Sequence, residues 1–234
     1  MKKNKSVKQF LSDNWIALIP YVMLLIIIVV MGVLNSNTLN SNYLANKCDA
    51  SLSLILVAIG QTFVLITGGF DLSVGGIICI VNCLMATRMT DSVGSMILWS
   101  VIGILIGILI GCFNGFVIER TGLQPFIVTL ATQSVCMGTA LLILKVDGGN
   151  VPITYMKAML TRFGAIPISL IILIALLLIW IYFKKTKICM NIYAVGSNKK
   201  AANLNGVNVL KTTVVAYAIS GGFAALSGLV RTAV

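Results

Sequence analysis

Long apolar blocks separated by short polar connectors dominate the chain. Runs such as LLIIIVV (Leu24–Val30) and LIILIALLLI (Leu170–Ile179) do not alternate in polarity, and the blocks are about as long as a bilayer crossing, roughly 17–25 residues. The pattern predicts spanning helices at about 15–34, 50–68, 72–88, 96–118, 125–144, 167–183 and 212–231. The connectors 35–46, 145–164 and 184–211 are rich in Asn, Ser, Gly, Pro and charge. A transmembrane barrel is excluded, because it would need short segments of alternating polarity. The expected fold class is an all-α polytopic membrane protein with about seven transmembrane helices.

Composition agrees. Hydrophobic residues make up 59% of the 234 and charged residues only 10%, with a mean hydropathy of +1.03. A soluble domain of this length would carry a far more charged surface. The expected organisation is a cytoplasmic N-terminal segment, 1–14, and one membrane domain, 15–234, with a large cytoplasmic loop at about 184–211. The lysines ahead of Trp15 resemble a signal peptide in outline, but the apolar run to Leu34 is too long and has no small-residue cleavage site behind it.

The net charge of +11 is a topology signal. Basic residues flank the apolar blocks and form no aromatic-interleaved patch, so nucleic acid is not an expected partner. With seven crossings and a cytoplasmic N-terminus, the basic residues inside are 2, 3, 5, 8, 120, 184, 185, 187, 199, 200 and 211. That makes eleven, against five outside at 47, 88, 145, 157 and 162 (Arg231, near a helix end, is not counted). The positive-inside bias therefore favours a cytoplasmic N-terminus. Six cysteines lie mostly inside apolar runs. Cys79 and Cys83 are one helical turn apart, but the sequence contains no histidine and no metal site is expected.

Three polar features interrupt the pattern. In ITGGFDLSVGG (Ile66–Gly76), Gly68 and Gly69 end one helix and Asp71 occupies an N-cap position for the next, with the N–H groups of Ser73 and Val74 as expected partners. A carboxylate at the bilayer centre costs about 2.5–3.5 kcal/mol on insertion scales, and serine would cap for less. A broken helix pair that brings a carboxylate to a polar translocation path is the functional alternative, compatible with capping. In YAVGSNKKAANLNGVNV (Tyr193–Val209), Ser197 or Asn198 can cap a short helix from Lys199 to Leu204, and Asn205 or Gly206 can end it. Such a helix could dock into a groove on another protein or rest on lipid headgroups; the residues alone leave both open. In NGFVIERTGLQPFIVTLAT (Asn114–Thr132), Glu119, Arg120, Gly122 and Pro125 describe a membrane-edge hairpin, with no chemistry expected of Glu119. Gly103, Gly107, Gly111 and Gly115 recur every four residues as a close-packing face.

Neither a nucleophile–histidine set, nor a phosphate loop, nor paired carboxylates occur, so the chain is not expected to be an enzyme or to hydrolyse ATP itself.

TGGFDLSVGG resembles the T-G-G-(I/F)-D-L-S-V-G motif of the ribose-type permease subunits of bacterial ABC importers. GLQPFIVTLAT is similar to the same family's hairpin, and AVGSNKKAANLNGVNVLKTTVVAYAISGGFAALSGL looks like its coupling loop and following helix. The matches are in order and cover roughly 50–230. The resemblance implies a type II-like ABC importer permease fold in the bacterial plasma (inner) membrane and import of a monosaccharide by alternating access. It implies ABC ATP-binding subunits that hold ATP and Mg, an extracytoplasmic sugar-binding protein, and a second permease copy or a paralogue as partners. By position, Gly68, Gly69, Asp71, Ser73 and Gly75 would be the broken-helix motif beside the substrate path. Asn198, Lys199, Lys200, Ala201, Ala202, Leu204 and Gly206 would be the ATPase-coupling loop. Two departures accompany it. The family often has an acidic residue before the paired alanines, where this chain has Lys199 and Lys200, which should select a complementary partner groove. The family also continues for several helices past the point matched by Val234, so a front portion of a longer protein is expected.

Two rival functions stay open at this stage: an ion-coupled carrier using Asp71, and a non-transporting membrane scaffold. Proton relays commonly use several acidic residues within the membrane. No second one is apparent in the sequence, which weighs against the carrier.

Overall fold

The computed structural model describes residues 15–34, 40–146, 148–164 and 166–234. The 1–14 segment, with its four lysines, and residues 35–39 lie outside these. The chain divides into a unit of residues 1–46 and a unit of residues 47–234. The first unit contains α1 (Trp15–Leu34), the helix expected over the same residues.

Helix α2 (Ser41–Ile66) begins nine residues before the expected start and carries the chain into the second unit. There follow α3 (Val74–Arg88), α4 (Val93–Thr121) and α5 (Pro125–Ile143). Next come α6 (Ile153–Met159), a hairpin of β1 (Arg162–Phe163) and β2 (Ile166–Pro167), and α7 (Ile168–Phe183). The chain ends with α8 (Lys187–Ser197), α9 (Lys199–Leu204) and α10 (Val209–Ala233).

Among the described residues α2, α4, α5 and α10 are long and apolar enough to cross a membrane, and α7 with α8, bent by 73° at their break, makes a fifth if taken as one span. Helices α1 and α3 are shorter apolar helices. The all-α polytopic class holds, and the expected seven spans are seen as four or five long ones. The connectors are richer than expected. The 145–164 stretch contains α6, and the 184–211 loop contains α8, which buries Cys189, Ile192 and Val195 on one face.

Helix α10 is the centre of the second unit, packed on α4 and then α3, with α5 on the far side of α3. Small residues permit the close approach. The α4 glycines 107, 111 and 115 lie directly against α10 backbone at Gly221, Tyr217 and Val214, while Gly103 faces Val81 of α3. The bulky residues of α4, Leu98, Val101, Leu105, Leu109, Phe113 and Phe116, form the opposite, exposed stripe. Small and polar inside with large and apolar outside is the order expected where the solvent is lipid, because burying a leucine against another helix gains little over leaving it in acyl chains. Aromatic packing fixes α7: Trp180 and Phe183 meet Phe63 of α2 edge-on, with ring centroids 5.0 and 5.3 Å away.

The connectors gather at two opposite ends. At one end Gly196 of α8 abuts the carbonyl of Ile66, and Lys199 meets Glu119. At the other, the N–H of Asn150 donates to the carbonyl of Ala86 at 2.9 Å, and the Tyr155 hydroxyl donates to the carbonyl of Leu229 at 3.0 Å. The stretches 66–69, 119–124 and 196–213 therefore lie at one end, and residues 70–73 lead from it into the bundle.

Candidate functional site

The break between α2 and α3 is built by glycine and satisfied by side chains. Gly68, at φ +80°, takes the left-handed position after α2. The N–H of Gly69 donates to Val64 O at 3.1 Å and that of Gly68 to Leu65 O at 3.0 Å, the paired bonds of a Schellman ending. Gly69 is required for a different reason, since a Cβ there would strike the Tyr217 hydroxyl. Residues 67–73 then run as non-helical backbone into the bundle. Helix α3 is consequently short, about 22 Å at 1.5 Å per residue. Backbone at that depth needs partners from protein. Gln61 Nε2 donates to the Asp71 carbonyl at 2.8 Å.

Asp71 has no exposed surface. Its Oδ1 accepts from the Ser73 N–H at 3.0 Å and the Ser73 hydroxyl at 2.6 Å, and its Oδ2 accepts from Ser220 Oγ of α10 at 2.8 Å. The expected cap is thus shifted. Helix α3 starts at Val74, Ser73 takes the N-cap position, and Asp71 closes a turn onto it with no bond to Val74. Donors continue outward: Thr132 Oγ1 of α5 donates to Asn114 Oδ1 at 2.6 Å, and Asn114 Nδ2 of α4 donates to Ser73 Oγ at 2.9 Å. Every hydrogen bond in the series Thr132, Asn114, Ser73 points toward the carboxylate, so each donor polarises the next. A serine at position 71 would present one acceptor oxygen; aspartate presents two and collects donors from both sides of the break. Gly75 lies at the start of α3, where a Cβ would meet only the Gln133 side chain at 3.5 Å.

The short helix expected from Lys199 to Leu204 forms over those residues. Asn198 Oδ1 accepts from the Ala201 N–H at 3.0 Å and caps α9, while Gly206, at φ +81°, ends it with the same paired bonds that end α2. Ala202 is buried, whereas Lys200, Ala201 and Gly206 are exposed and Leu204 is 88% exposed.

A cavity of about 290 Å³ joins the two groups, with Gly68, Gly69 and Tyr217 on one side and Glu119, Lys199 and Thr213 on the other. Glu119, assigned no chemistry from the sequence, accepts from Lys199 Nζ at 2.8 Å and from Thr213 Oγ1 at 3.0 Å on the same oxygen. Also missed were Gln61, Asn114, Thr132 and Ser220. Each is a polar residue inside a span predicted from its apolar pattern, the one sequence signal available for them. A further correction concerns acidic residues. Asp49 lies within α2, is buried, and accepts from Ser169 Oγ at 2.6 Å, so Asp71 is not alone. Among the described residues no group of three or more His, Cys, Asp or Glu could hold a metal.

The model of the permease component of the branched-chain amino acid transport system matches residues 43–233. The chain belongs to that permease family. This permease is 35% identical over 221 residues to the ribose import permease protein of Bacillus subtilis (strain 168), covering 91% of this chain and 67% of that one. It is 31% identical to the D-allose transport system permease protein of Escherichia coli (strain K12), over 91% and 66% of the two chains. It is 32% identical to the fructose import permease protein of Bifidobacterium longum (strain NCC 2705), over 98% and 68%. The permease spans about two thirds of the length of these relatives. No solved structure is a significant match. The two predicted residue groups, the α2–α3 break and the α9 loop, both fall inside the family match.

Proposed function

We propose that this chain is the transmembrane permease subunit of an ATP-driven importer that moves a monosaccharide into the cytoplasm. The relatives named for ribose, allose and fructose support the substrate class. The observation that carries the coupling role is α9. It is capped at both ends, sits between two longer helices, and presents Leu204 almost fully to solvent. An exposed leucine on a short, ordered helix suits a groove on a partner protein. The partner is an ABC ATP-binding subunit, which binds the ATP and Mg. A sugar-binding protein meets the opposite, extracytoplasmic face, and a second permease copy or a paralogue completes the membrane part.

On this proposal 1–14 is a cytoplasmic segment, 15–234 is one permease domain in the lipid bilayer of the bacterial plasma membrane, and the face carrying α9 is cytoplasmic. Gly68, Gly69, Ser73 and Gly75 lie beside the path. Asp71, enclosed by protein and met by neutral donors, serves the path by holding its helices and not by touching sugar. The mechanism is alternating access: closure of the ATP-binding subunits shifts α9, and the bundle changes between two arrangements in which partner contacts differ.

The test is gentle extraction from the native membrane, identification of stoichiometric co-purifying chains, and uptake of labelled ribose, allose, fructose and galactose in proteoliposomes with and without internal ATP. Uptake that follows the ion gradient and ignores ATP would replace the importer with the carrier.

A further inference from the structure

Helix α9 has little to hold it. Its one buried residue is Ala202, and the rest of its surface is exposed. A six-residue helix seated by one methyl group would yield locally when pushed, before passing any displacement inward. The Lys199–Glu119 ion pair changes this. It closes at 2.8 Å, with Glu119 only 17% exposed and Lys199 49% exposed. Glu119 is in the last turn of α4, and the oxygen that accepts from Lys199 also accepts from Thr213 in the second turn of α10. One carboxylate therefore grips α9, α4 and α10 together.

Both gripped helices lead to the same place. Along α4, between one and two turns in from Glu119, is Asn114, which donates to Ser73. Along α10, two turns in from Thr213, is Ser220, which donates to Asp71. The two routes from Glu119 meet at the α2–α3 break.

We infer that Glu119 is a positioning residue for transport, acting through Lys199 to deliver movement of α9 to α4 and α10 at once and so to the Asp71 cluster. This rests on the importer function proposed above. It also changes the meaning of the lysine pair at 199–200. Lys199 is answered within the chain, so the partner groove meets the charge of Lys200 and the side chain of Leu204.

The experiment uses the full chain with its native ATP-binding subunits in proteoliposomes, as wild type, E119Q, K199Q and the exchange E119K/K199E. The probe is whichever of labelled D-ribose, D-allose, D-fructose or D-galactose the wild type accumulates with ATP, and the readout is sugar moved per ATP hydrolysed. E119Q and K199Q should each lower that ratio at least about fivefold, the lower end of an ordinary coupling free energy. The exchange should restore most of the loss by re-forming the pair, and a merely structural role would lower uptake and ATP hydrolysis together and leave the ratio unchanged. T213V, which keeps the ion pair and removes one donor, should give a smaller drop. A wild-type ratio in E119Q, or an exchange variant no better than the singles, overturns the positioning role and leaves the importer standing. A wild type that retains no ATP-binding subunit and shows no ATP-dependent uptake overturns both.

Discussion

Ser220 Oγ donates to Asp71 Oδ2 at 2.8 Å, joining the middle of α10 to the break between α2 and α3 across 149 positions of sequence. The other carboxylate oxygen is held by Ser73, which is itself held by Asn114. Asp71 is thus a junction of three helices. Its carboxyl group is tolerated in the bundle because donors have replaced its water.

Removing the junction should cost stability in a graded way. Asp71→Ala leaves the buried Ser73 and Ser220 groups without their acceptor, a loss of about 1–3 kcal/mol per stranded group where none can rotate to a new partner. Asp71→Asn keeps one acceptor oxygen, and its amide can be met by a rotated serine hydroxyl, so it should lose less. Heating the detergent-extracted protein and measuring the fraction still monodisperse should rank wild type above Asp71→Asn above Asp71→Ala. If Asp71 instead carried a coupling ion, Asp71→Asn would be stable and devoid of gradient-driven uptake.

The α4–α10 contact makes a second ranking. A Cβ at Gly111 would be driven into the Tyr217 backbone, which has no rotamer to change, whereas a Cβ at Gly94 meets nothing within 4 Å. Gly111→Ala should therefore lose several kcal/mol, on the order of an overpacked core or more. Gly94→Ala should be neutral or gain up to about 1 kcal/mol from helix propensity. The same heating assay compares them, and equal behaviour of the two variants would refute the packing assignment.

Much of this was legible in the sequence, for physical reasons that differ by element. Hydrophobic runs locate helices well, so α1, α5 and α7 begin and end within a residue or so of expectation. The α4 glycine spacing announced a close contact without naming its partner, because spacing carries no information about the facing helix. Helix α2 was placed too late because Asp49 and Lys47 read as connector polarity, although Asp49 is buried on Ser169. Helix α8 was missed because its apolar face is narrow and its other face polar, so that it looked like loop. The role of Glu119 was invisible: the residues it holds, Lys199 and Thr213, are 80 and 94 positions away, and only the fold brings them together.

Leu204 offers a test that separates docking from folding. At 88% exposure it contributes little to the permease itself. Leu204→Asp should leave the melting behaviour within about 0.5 kcal/mol of wild type, as expected for a surface site. It should abolish stoichiometric retention of the ATP-binding subunit, because a charge would then enter an apolar socket. Retention of that subunit by the Asp variant would mean that α9 rests on lipid headgroups instead.

On the opposite face, Tyr155 anchors α6 to the end of α10 through its hydroxyl bond to the Leu229 carbonyl. Burial disfavours the phenolate and pushes the Tyr155 hydroxyl up to about 12. An exposed tyrosine in the unfolded chain ionises near 10, about two units lower. The sign follows from proton binding: between these values the folded state holds the proton and the unfolded state releases it, so stability falls as pH rises from about 10 through about 12 and is unaffected below. Tyr155→Phe removes both the bond and the ionisation. At neutral pH the variant should be less stable by about 1 kcal/mol, the net value of one hydrogen bond. Above pH 10 the gap should narrow, because only the wild type continues to lose stability through this group. Melting both proteins across pH 7 to 11 checks it, and a gap that widens at high pH would show that the hydroxyl is not buried against Leu229.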